Sequence, residues 1–88
     1  MAHAKPEDLK DLALLLEQLR GIETLREKSP GCFYRKGKSV LHFHTQKGRR
    51  YAHVFDGKDW REIDLPVPQN LKTQAQNFKK ISVLIHSA

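Results

Sequence analysis

Eighty-eight residues, 39% of them apolar and 30% charged, make one small globular domain, too apolar to stay disordered and too short for two cores. The lone cysteine, Cys32, excludes an internal disulfide framework and points to a reducing, cytoplasmic setting. Sixteen Lys and Arg against ten Asp and Glu leave a net charge of +6, which favours a polyanionic partner such as RNA or DNA, although small domains also carry such charge simply to stay soluble.

Residues 1–88 read as a single domain, with 1–5 expected to be flexible. Met1–Arg20 mixes charges with its leucines and lacks an apolar h-region followed by a small-residue cleavage site, so no signal peptide is expected. The run Leu12–Leu16 is far short of the roughly 20 residues that span a membrane, and no membrane partner is expected.

A first helix is predicted from Pro6, which suits a first turn, with Glu7 and Asp8 at the positive end of the helix dipole. Leu9, Leu12, Leu16 and Leu19 form its apolar stripe, widened by Ala13 and Leu15. Gly21 is a natural stop, yet Ile22 and Leu25 continue the spacing and would carry the helix one turn further. Ser29-Pro30-Gly31 ends it in either case.

From Cys32 the apolar period changes to two. Strands are predicted at Cys32–Arg35, Val40–Thr45, Arg50–Phe55 and Trp60–Leu65, separated by Lys36-Gly37, Gln46-Lys47-Gly48 and Asp56-Gly57. Short turns imply an antiparallel meander, and Pro66 and Pro68 place the fourth strand at an edge. A closing helix follows with Gln69 or Asn70 as its cap and Leu71, Ala75, Phe78, Ile81 or Ser82, and Ile85 as its buried stripe. The expected fold is α+β: a helix, a four-stranded antiparallel meander and a helix.

A two-residue Lys47-Gly48 turn sets a register of His44 opposite Tyr51, His42 opposite His53, Phe43 opposite Ala52 and Leu41 opposite Val54. The last two pairs read as the face under the helices, joined by Ile63. The other face then holds His42, His44, His53, Tyr51, Trp60 and Glu62, fringed by Val40 and Phe55. Two- and three-residue first turns would put Phe33 on different faces, so its side stays open.

The stretch Lys28-Ser29-Pro30-Gly31-Cys32-Phe33-Tyr34-Arg35, followed by Leu41-His42-Phe43-His44 and Tyr51-Ala52, resembles a family of small bacterial proteins with a PG-x-FYR…FLHFH core between two helices. The likeness covers most of the chain and implies a fold and a bacterial origin, without an activity. In that family the residue after the Tyr-Ala pair is usually acidic; His53 departs from that pattern, which bears on any site at that position. The element order is also loosely similar to that of small RNA-binding α+β domains.

Two ligand chemistries suit the histidine face. Aromatic and imidazole rings at His42, His44, Tyr51 and Trp60 can stack on bases, while Arg35, Lys36, Lys38, Lys47, Arg49, Arg50, Lys58 and Arg61 hold phosphates; this nucleic-acid-binding module is the leading expectation. Alternatively His42, His44 and His53 supply three ligands to Zn²⁺, with Glu62 orienting His53 or acting as a base. A third expectation is a homodimer or partner-binding module using surplus leucine and the Trp60–Leu65 edge. Enzymatic activity is the least supported: Cys32 sits near basic residues that could activate its thiol but reads as a small core residue of a strand, the serines lack an evident base, and a ribonuclease using His42 or His44 is the remaining option. No catalytic residue is assigned.

Overall fold

A computed structural model describes residues 2–87 as an antiparallel sheet with two helices against one face. The first element is β1, Ala2–His3, which pairs with the far end of β4; of the segment expected to be flexible, these two residues are therefore tied into the sheet. Ala4 adds a main-chain bond from its N–H to the Phe43 carbonyl.

The leucine-rich segment does not form one continuous α-helix. Pro6–Leu12 winds as a 3₁₀ helix, and α1 begins only at Ala13 and ends at Arg20. Three residues per turn stack Leu9 directly over Leu12, which suits a leucine pair spaced by three. Restarting at Ala13 leaves new main-chain donors without helical partners, and the buried Gln74 side chain accepts one of them, the Leu15 N–H, at 3.0 Å. Leu9, Leu12, Leu15, Leu16 and Leu19 are buried; Ala13 is exposed and does not widen the stripe.

Gly21 closes α1, and the chain turns instead of continuing through Ile22 and Leu25. Leu25 is buried at the entry to β2, Arg26–Ser29, a strand with no counterpart in the four-strand expectation. Glu27 anchors it: its carboxylate accepts from Arg20 Nε at 2.5 Å and from the Gly31 N–H at 3.0 Å. Gly31 has φ +76°, and a Cβ there would lie 3.0 Å from Leu9 and 3.3 Å from Phe43, so the turn demands glycine twice over.

The remaining strands are β3, Cys32–Arg35; β4, Lys38–Gln46; β5, Arg49–Phe55; and β6, Trp60–Asp64. Strands β2 to β6 lie in chain order as an antiparallel meander, with β6 at the edge. Lys47-Gly48 is a two-residue turn with both φ values positive, and the β4–β5 register is the expected one from Leu41 to Gln46. The four-residue Asp56–Asp59 loop sets Ala52 opposite Ile63 and His53 opposite Glu62.

The first hairpin resolves the side of Phe33. Arg35 pairs with Lys38 and Tyr34 with Ser39, but Phe33 pairs with Leu41, so Val40 is one extra residue in β4. This bulge brings Phe33, fully buried, to the helix side. It joins Leu41, Phe43, Ala52 and Val54 in the core with the α1 leucines and with Ile81 and Ile85 of α2, Leu71–His86.

Asn70 caps α2, accepting from the Thr73 N–H at 2.8 Å. The buried stripe differs from the expected one: Leu71 is 70% exposed and Ala75 is exposed, while Gln74 and Asn77 turn inward. Their amides have work there that apolar residues could not do, Gln74 at the start of α1 and Asn77 as a 2.8 Å donor to Gln69. Among the described residues, no helix is long and apolar enough to cross a membrane.

Candidate metal centre on the histidine face

Strand alternation sends His42 and His44 of β4 to the face opposite the helices, and cross-strand pairing brings His53 of β5 against His42. One ring nitrogen from each of the three lies within 4.8 Å of the others. The closest approach is His42 Nδ1 to His44 Nε2, a short hydrogen-bonded contact in which one nitrogen carries a proton and the other presents a lone pair. Ring centroids are 4.4 Å apart for His42 and His44, 5.0 Å for His44 and His53, and 5.7 Å for His42 and His53.

The rings around the trio restrict it. Trp60 lies 4.7 Å from His42, and Tyr51 lies 5.2 Å from His53 and 5.7 Å from His44. Tyr51 is only 1% exposed and His44 only 6%, although both lie on the face opposite the apolar core. Arg49 helps to cover Tyr51, its guanidinium carbon 5.7 Å from the ring centroid. Arg49 also bonds Glu62 at 3.0 Å and Asp64 at 2.5 Å, which holds the Glu62 carboxylate near His53, 3.7 Å from Nε2.

Register reveals a residue that sequence reasoning did not place here. Cys32 pairs with His42, His42 with His53, and His53 with Glu62, so one row across four strands carries a thiol, two imidazoles and a carboxylate. Only the Val40 bulge brings Cys32 opposite His42. An unbulged two-residue hairpin would pair it with Leu41.

The bases proposed to hold phosphates do not form one surface. Arg50 is 4% exposed: its guanidinium takes Asp11 in a two-pronged pair at 2.5 and 2.8 Å and donates to the Leu65 carbonyl at 3.0 Å and the Asp8 carbonyl at 2.7 Å. It is a structural clamp between the 3₁₀ segment, β5 and the chain after β6. A signal for this was present, since Arg50 shares its parity with Ala52 and Val54 on the helix side. Tyr51 is covered, and Arg49 and Arg61 are engaged by Glu62, Asp64 and Asp56. Lys47 and Lys58 sit on exposed turns, while Arg35, Lys36 and Lys38 gather at the first hairpin beside Trp60.

Three imidazoles fit a first-row transition ion. Ligand bonds of about 2.0–2.1 Å put nitrogens of a tetrahedral site about 3.3 Å apart, a spacing inside the 4.8 Å within which the three ring nitrogens lie. Three ligands leave a fourth position for water or another donor. No protein-family model, curated protein or solved structure matches this chain.

Proposed function

We propose that the protein is a metal-binding domain in which His42, His44 and His53 hold one divalent transition ion, with Zn²⁺ the first to test. The observation that carries this reading is the convergence of three ring nitrogens within 4.8 Å on two paired strands. Neutral nitrogen donors favour zinc, copper, nickel or iron over magnesium and calcium, which prefer oxygen. Glu62, steered by Arg49, is placed to orient His53 from outside the ligand set. A ligating imidazole must be neutral, so protons compete with the ion and affinity falls as pH is lowered.

The test is titration of the chelator-treated protein with Zn²⁺, followed by imidazole resonances, with Co²⁺ absorption reporting coordination geometry. Resonances of His42, His44 and His53 should shift together at one equivalent while His86, which bonds the Ser82 carbonyl near the end of α2, stays still. Unshifted trio resonances, or full affinity retained in His53→Ala, would reject the assignment.

A further inference from the structure

A groove of about 470 Å³ opens beside the trio, between the first hairpin and the start of β6. Val40, Phe55 and Trp60 give it a mostly apolar lining, and Arg35, Lys36 and Lys38 add three cations without one acidic residue. Trp60 is the only tryptophan of the chain and is 43% exposed. Its ring is braced by His42 at 4.7 Å and Phe55 at 5.4 Å between centroids, which fixes its plane. Arg35 is partly used, donating to the Ile85 carbonyl at 3.1 Å. Lys36 and Lys38 have no carboxylate partner among the described residues.

We propose that this groove binds single-stranded nucleic acid, one base lying against Trp60 and the neighbouring phosphates on Lys36 and Lys38. A braced aromatic plane next to point cations suits a flat ring joined to a charged backbone. The available cations are lysines, which meet phosphate as point charges, whereas an acidic peptide would gain little from the tryptophan. The net charge of +6 adds long-range attraction for a polyanion. The groove is open to solvent, so it admits a strand that enters and leaves. The inference does not rest on the metal reading.

Labelled octauridylate, titrated into protein kept in EDTA and followed by anisotropy and Trp60 fluorescence, provides the test. Expected are saturable binding with tryptophan quenching, and about sevenfold weakening between 50 and 200 mM salt for two lysine–phosphate contacts. Trp60→Leu should weaken binding roughly 5- to 150-fold, with Trp60→Phe recovering part of the loss. Lys36→Gln with Lys38→Gln should flatten the salt dependence while circular dichroism stays unchanged. Binding without quenching, undiminished binding by Trp60→Leu, or equal competition by polyglutamate or free uridine monophosphate would each overturn the proposal. So would no binding at low salt. Working in EDTA keeps such a failure separate from failure of the metal site.

Discussion

The two faces of the sheet are built from alternate residues of the same strands, and both are substantially buried, but by different partners. On the helix side Phe33, Leu41, Phe43, Ala52 and Val54 are covered by leucine and isoleucine from the helices. On the other side His44 and Tyr51 are buried as well, with the rings of His42, His53 and Trp60 and the Arg49 guanidinium among their surroundings. Burial of a large apolar side chain contributes about 1.5–3 kcal/mol, whereas converging imidazole nitrogens gain little from leaving water. The helix face therefore holds the fold together, and the histidine face uses that fold to fix ring nitrogens in place.

Substitutions can break this contrast at several strengths. The largest effects belong to the helix side. Phe43→Ala should cost about 3–5 kcal/mol in urea unfolding, because a fully packed ring has no way to refill its volume. Asp11→Ala should cost a similar amount, about 3–5 kcal/mol, by leaving the Arg50 guanidinium buried without its anion. An effect under 1 kcal/mol in either variant would remove the distinction between the faces.

A smaller effect comes from the other side. Free Zn²⁺ at about 100 times its dissociation constant should stabilise the protein by about 2.7 kcal/mol, and His53→Ala should abolish that gain. Without metal, His53→Ala should change stability by less than about 1 kcal/mol, since the ring lies outside the apolar cluster under the helices. A metal-free loss as large as that of Phe43→Ala would make the trio a second core.

Acid provides the finest probe. The Arg50 hydrogen bonds hold the Asp11 carboxyl below its ordinary value of 3.8, aided by the Gln69 N–H. At Glu27 burial pushes the carboxyl upward, but Arg20 and the Gly31 N–H outweigh it, leaving it below its ordinary 4.5. Both groups titrate lower in the folded than in the unfolded chain, so their contribution is complete above those ordinary values and disappears as pH falls through the folded ones. Unfolding measured from pH 7 to pH 2 should show this acid limb, made shallower in Asp11→Ala. An unchanged limb in that variant would show that the clamp is not its source.

Much of the sheet was legible because its turns are written in residues that accept positive φ. Lys47-Gly48 fixed the β4–β5 register, and with it the meeting of His42, His44 and His53. Strand β2 was not legible: Arg-Glu-Lys-Ser has no apolar alternation, and main-chain pairing with β3 plus the Arg20–Glu27 bond hold it in place. Nor could periodicity show that Gln74 faces inward, because its partner is a main-chain donor 59 residues away. Arg50 was misplaced for the opposite reason, its charge outweighing an alternation that already sent it inward.

The extra residue in β4 lets the strand answer to two rulers at once. Lys38 and Ser39 are indexed to the Lys36-Gly37 turn, while Leu41 to Gln46 are indexed to Lys47-Gly48, and Val40 takes up the difference like a vernier. Length changes on the near side of Val40 can be absorbed there, leaving His42 and His44 in phase with His53. A single deletion between His44 and the far turn reverses that phase and carries both rings to the helix side. The chain thus has one stretch where its length is negotiable and, a few residues away, another where every residue counts.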